Sequence, residues 1–109
     1  MPGSYEDRPY LKDAKTGEHL STEVMYYGDE RIVGHKEVLE RLLILMPRKA
    51  AELGGKNLVS RHFIDAFQIR GPSYGDVVRQ TLDKLVTGKK FTKRNVGTPQ
   101  HPRYAYDLK

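Results

Sequence analysis

At Gly88 the hydrophobic pattern of this chain changes period. Upstream, within Ser73–Thr87, Tyr74, Val78, Leu82 and Leu85 recur at helical spacing, with Val77, Thr81 and Val86 at the margins. That stripe predicts an amphipathic helix. Ser73 is a favoured N-cap, Asp76 places negative charge near the positive end of the helix dipole, and Gly88 is a natural stop. Downstream, Tyr104, Tyr106 and Leu108 alternate with Arg103, Ala105 and Asp107, which predicts a strand with the first three side chains on its buried face. Phe91–Arg94 supplies a second strand. Asn95–Pro102, with Gly97, Pro99 and Pro102, supplies a long loop between them. A helix followed by a β-hairpin is therefore expected.

More helix lies upstream. In Lys36–Met46, Val38, Leu42 and Leu45 form one stripe, widened by Leu39, Leu43 and Met46, as in the central helix of a fold. Pro47 lacks an amide donor, so it breaks or kinks this helix, or else opens a second short one, Pro47–Leu53, ended by Gly54-Gly55. Leu58–Ile69 is the next helix, with Asn57 as N-cap and Val59, Phe63, Ala66 and Phe67 as its stripe; Gly71-Pro72 stops it. Ahead of all these, Glu23–Tyr27 and Arg31–Val33 are β-prone runs around the turn Gly28-Asp29-Glu30, a small N-terminal hairpin. Residues 1–21 mix Gly, Pro, Ser and charge without periodicity and read as a flexible or loosely docked arm. The expectation is one α+β domain over residues 22–109, with three or four helices.

Charge is distributed unevenly. The net charge is +5, and nearly all the excess lies late in the chain: residues 70–109 hold nine Lys and Arg against three Asp, whereas residues 1–69 are close to neutral. A localised basic patch is the footprint of polyanion binding; a solvated face that serves solubility is the other reading. There is no Cys, which excludes disulfides and Cys-ligated zinc. The longest apolar run, Leu42–Met46, is far short of the roughly 20 residues that span a bilayer. Met1–Lys15 has no apolar core of a secretory signal. A protein of the cytoplasm (nucleoid-associated) or nucleus, neither secreted nor membrane-bound, is expected.

The run from Asn57 through Gln68-Ile69-Arg70-Gly71-Pro72 into the helix at Ser73 resembles a helix-turn-helix. The basic tail, Lys89, Lys90, Lys93, Arg94 and Arg103, resembles the wing of winged helix domains. The resemblance covers roughly residues 35–109. It departs in its turn, which is about five residues long where the tightest versions use three or four. Little sequence is left for a strand between the leading helices, only Gly55–Asn57. The resemblance implies a winged helix-turn-helix protein that binds duplex DNA, with the last helix in the major groove and the wing over phosphates. On that reading Lys89, Lys90, Lys93, Arg94 and Arg103 contact phosphate. Ser73, Tyr74, Arg79, Gln80 and Lys84 lie on the recognition helix, and Arg79 and Gln80 suit base edges. Asp76 and Asp83 suit a phosphate-lined groove poorly, and Arg79 with Asp83 also fits an ion pair at helical spacing.

Gln68–Ser73 with Arg103-Tyr104-Ala105-Tyr106 is also similar to the small winged helix protein of the eukaryotic and archaeal small ribosomal subunit, a family seated on structured RNA, but without that family's Lys-rich N-terminal extension. RNA is thus the alternative polymer. Expected roles are transcription regulation, or replication, plasmid or phage control. The rival is a winged helix module that docks on a protein of the transcription or replication machinery. A homodimer is expected, joined through the N-terminal hairpin or arm.

Signs of catalysis are lacking. His19, His35, His62 and His101 have no metal-ligand spacing, and His62 reads as a packing residue. Gly54-Gly55-Lys56 lacks the remaining parts of a phosphate-binding loop, with Ala50 and Asn57 at the required Gly and Ser/Thr positions. A tyrosine nucleophile near His101 is explained better by strand alternation. No catalytic residue, metal or cofactor is expected, and no enzyme activity.

Overall fold

The computed structural model describes residues 8–109. The order of elements is β1 (Val24–Tyr27), β2 (Glu30–Val33), α1 (His35–Glu52), α2 (Ser60–Phe67), α3 (Tyr74–Thr87), β3 (Phe91–Asn95) and β4 (Tyr104–Leu108). The class is α+β: three helices and two antiparallel hairpins, β1–β2 and β3–β4. Each helix turns its apolar stripe to one core. Val38, Leu42 and Met46 from α1, Phe63 and Phe67 from α2, and Val77, Val78 and Leu82 from α3 meet there, with Phe91 and Tyr106 closing it from the C-terminal hairpin. Phe63 and Phe91 pack edge to face with ring centroids 6.3 Å apart, an arrangement the ring quadrupoles favour.

Pro47 does not end α1, which runs on to Glu52, so no separate Pro47–Leu53 helix exists. Proline removes one intrahelical hydrogen bond. The apolar stripe nevertheless continues past it to Ala50, which is fully buried. α2 is shorter than its stripe suggested, because the strand pairing of β4 claims the chain ahead of it. Leu58 and Tyr106 exchange amide–carbonyl bonds of 2.9 and 2.7 Å, and the Leu108 amide bonds the Gly55 carbonyl at 2.7 Å. The stretch between α1 and α2 is thus bridged to the edge of the β3–β4 sheet at Leu58. Asn57 is not an N-cap. It takes a left-handed conformation (φ 55°), and Val59 occupies the cap position. His62 is exposed, and its Nδ1 accepts the Val59 amide at 3.0 Å, satisfying a donor at the start of α2.

The arm expected over residues 1–21 lies partly, at 1–7, outside the described residues. Over 8–21 the chain lies against the body: Leu11 and Leu20 are buried, and Tyr10 stacks on Tyr74 with centroids 4.9 Å apart. β1 is joined to the turn before α3 by a pair of backbone bonds, Val24 N–H to Arg70 at 2.8 Å and Arg70 N–H to Val24 at 2.9 Å.

Candidate nucleic-acid interface

The buried stripe of α3 fixes what the helix shows to solvent. With Val77, Val78, Thr81, Leu82 and Leu85 turned inward, Asp76, Arg79, Gln80, Asp83 and Lys84 lie exposed on the other side. Ser73 and Tyr74 differ from these. Both are half-buried at the start of α3, where the Ser73 amide donates to Glu23 Oε2 at 2.9 Å and the Tyr74 ring stacks on Tyr10. The Ser73 side chain makes no capping bond.

After Gly88 the chain turns through Lys89 and Lys90 and enters the core once, at Phe91. The register of β3 on β4 then divides the ribbon by face. Phe91, Lys93 and Asn95 share one face with Tyr104, Tyr106 and Leu108; Thr92 and Arg94 share the other with Ala105 and Asp107. Lys93 reaches over the Tyr104 ring, its Nζ 4.1 Å from the centroid, and comes 3.6 Å from Asp83 Oδ1 on α3. The helix and the ribbon therefore lie side by side and share a surface. Tyr104 is not on a buried face as the alternation implied: it is 42% exposed, because it pairs with Asn95 at the outer end of the ribbon, away from the core contact at Phe91.

Arg94 points to the other side. Its Nε donates to Asp107 Oδ2 at 3.0 Å, and its guanidinium also bonds the Asn57 side chain. The Asn57 amide donates to Asp107 Oδ1 at 2.8 Å. That amide first, then Arg94, hold the Asp107 carboxyl below its ordinary range. Burial, and then the nearby Asp83 carboxylate, push the Tyr106 hydroxyl up. At the ribbon tip, Asn95 Oδ1 accepts the amides of Gly97 and Arg103 at 2.9 and 3.2 Å, and Thr98 Oγ1 accepts the His101 amide at 2.9 Å. The loop is therefore tied to itself.

Of the ten sequence-predicted residues, the structure sorts the seven charged ones by how their charge is used. Arg79 is ion-paired with Asp76 on its own helix, Lys93 approaches Asp83, and Arg94 is bound to Asp107. Lys84, Lys89, Lys90 and Arg103 are exposed and make no ion pair among the described residues. Gln80 is exposed on α3, one turn before Lys84. Sequence reasoning missed the brace residues Asn57 and Asp107 and the tip residue Asn95. Only Asn95 had a local signal, an Asx turn into Gly97. The pairing of Asn57 with Asp107 spans 50 positions. Among the described residues no His, Asp or Glu side chains gather to hold a metal, and no helix is long and apolar enough to cross a membrane. Comparison with protein-family models, with curated proteins and with solved structures finds no match.

Proposed function

We propose that this chain is a winged helix protein that binds double-stranded DNA by clamping its phosphate backbone. The β3–β4 ribbon acts as the wing, and the C-terminal end of α3 joins it. The observation that carries this reading is the contact between α3 and the ribbon through Lys93 and Asp83, with Lys84 next to Asp83 on α3, and Lys89, Lys90 and Arg103 along the turn and the ribbon, exposed and without ion pairs among the described residues. The element order supports it, as does the Leu58–Tyr106 bridge, at the place where a winged helix has a strand between its leading helices. Unpaired surface cations gain most from a phosphate, since no existing ion pair is broken and counterions are released. Arg79, Lys93 and Arg94 already have carboxylate partners, so they contribute less. Gln80 is the side chain on α3 best suited to read a base edge. A role in transcription regulation or in replication is proposed with it.

A fluorescent duplex of random sequence, titrated between about 50 and 200 mM salt, tests the reading. Replacing Lys89, Lys90 and Arg103 together by Ala is expected to weaken binding at least about tenfold at low salt and to flatten the log–log salt slope by about two to three. Lys93→Ala and Arg94→Ala are expected to cost less. An affinity and slope unchanged in the triple variant would overturn the clamp, and tighter binding to structured RNA than to duplex DNA would overturn the choice of polymer.

A further inference from the structure

Independently of nucleic acid, the outer side of α1 has the pattern of a surface that fits itself. Val38, Leu42, Leu45, Met46 and Ala50 face the core. The opposite stripe of the same helix carries Glu37, Ile44 and Ala51, flanked by Glu40, Pro47 and Arg48. Ile44 is 59% exposed, the most of any large hydrophobic residue among those described. One exposed aliphatic side chain is ordinary; the charges placed around it are not. Glu40 and Arg48 stand four positions before and four after Ile44. Both are exposed, and neither makes an ion pair among the described residues, whereas Arg41, Lys49 and Glu52 of the same helix each do. Glu40 and Arg48 are about 12 Å apart along the axis, too far to pair with each other.

An acid and a base set symmetrically about an apolar centre are complementary to their own image under a two-fold axis through that centre. We propose that α1 of one copy packs antiparallel against α1 of a second copy, with Ile44 at the axis and Glu40 paired with Arg48 of the second copy, twice by symmetry. The same register sets Glu37 against Ala51 and brings Lys36 toward Glu52. Parallel packing would instead set Glu37 and Glu40 against their own copies and is disfavoured. The N-terminal hairpin expected from sequence to join the dimer offers less, because Val24, Met25 and Tyr26 of β1 are already buried within the chain. α1 and α3 each turn their buried stripe to the shared core, so the Ile44 stripe and the exposed side of α3 belong to separate helices, each facing away from that core. A dimer through α1 leaves the α3 surface free.

Analytical ultracentrifugation of the full chain at low salt, without nucleic acid, tests this. A concentration-dependent monomer–dimer equilibrium is expected. Glu40→Arg and Arg48→Glu are each expected to raise the dimer dissociation constant about tenfold or more, by turning two attractions into repulsions. The double variant restores both pairs with signs exchanged and is expected to return to within a few-fold of the parent. Ile44→Asp is expected to abolish dimer. These side chains are exposed, so each variant is expected to stay folded, which circular dichroism checks. A monomer at every concentration, or a dimer indifferent to these substitutions, overturns the proposal. A double variant no better than the singles overturns the antiparallel register. Loss of DNA binding with the dimer intact would count only against the function proposed above.

Discussion

Asp13 departs furthest from its sequence context. It stands in a run of Lys, Thr, Gly and Glu that reads as solvated, yet it is only 4% exposed. Its Oδ1 accepts the amides of Lys15 and Thr16 at 2.8 and 2.9 Å and also the Tyr26 hydroxyl, while Oδ2 accepts Arg31 Nε at 2.9 Å. Burial pushes this carboxyl up, but the donors together outweigh burial and hold it well below the usual carboxylate range. Burial, then Asp13, push the Tyr26 hydroxyl up in turn. Asp13→Asn weakens the bonds that the Lys15 and Thr16 amides and the buried Tyr26 hydroxyl donate to a charged acceptor, and is expected to cost about 1–3 kcal/mol at neutral pH. The sign of the pH effect follows from a folded carboxyl that titrates below its unfolded value of about 3.9. Its contribution is complete above that value and fades as pH falls toward the folded one. The stability gap between the parent and Asp13→Asn, from urea melts, is thus expected to narrow as pH drops below about 4; a gap constant with pH would refute an ionised, donor-held Asp13. Its burial was illegible in sequence because its side-chain partners, Tyr26 and Arg31, lie 13 and 18 positions away. A buried charge is tolerated only once such partners assemble.

Among the elements, the helices were legible and so were the ends of α3, but the end of α1 and the bounds of α2 were not. The stripes of α1, α2 and α3 mark real buried faces, because helical period and core contact are the same physical fact. Ends depend on competition between elements. Leu58 belongs to the apolar run before α2 but pairs as a strand with Tyr106, a partner visible only after folding. Pro47 reads as a break, yet buried residues on both sides of it outweigh one missing bond; Ala50, four positions after Met46, was the available clue. The turn between α2 and α3 is tight against β1, and Gly71 shows why. Its φ is +133°, and a Cβ there would meet Glu23 Cα at 2.6 Å and the Thr22 carbonyl at 2.8 Å. Gly71→Ala is expected to lose about 3 kcal/mol, combining an unfavoured backbone conformation with a clash against immovable main chain. Gly75→Ala, where a Cβ meets nothing within 4 Å in the first turns of α3, is expected to gain about 0.5 kcal/mol. Thermal melts of the two variants are expected to shift in opposite directions, and equal shifts would show that the close approach of β1 is not what Gly71 serves.

At the scale of the whole molecule, two small hairpins that would be marginal alone are held by ties to distant chain. β1 is tied to Arg70 by backbone bonds, and Glu23 accepts the Ser73 amide while also bonding His35, so one buried carboxylate joins β1, α1 and α3. The C-terminal ribbon is tied at its base, through Phe91, Tyr106 with Leu58 and Leu108 with Gly55, and is braced further along by Lys93 to Asp83 and Arg94 to Asn57, whereas residues 95–100 beyond these ties are exposed throughout. The sequence showed both hairpins and the basic character of the second, since alternation and charge are local properties. It did not show these ties, which also set where the basic surface lies relative to α3. They imply a definite order of opening. The amides of Val24, Arg70, Leu58 and Tyr106 are expected to exchange only through global unfolding, with the same free energy as Val78 in the core, because no tie breaks without opening that core. The amides of Val96 and Thr98 at the ribbon tip, bonded at 2.6 and 3.2 Å to Arg103 and His101, are expected to exchange through local fraying with a smaller free energy. Hydrogen exchange across low urea concentrations separates the two, since global opening is steeply denaturant-dependent and fraying is not. Weaker protection at Val24 and Arg70 than at Val78 would make the N-terminal hairpin a unit that opens by itself. Its hold on the start of α3 could not then set the position of that helix beside the ribbon.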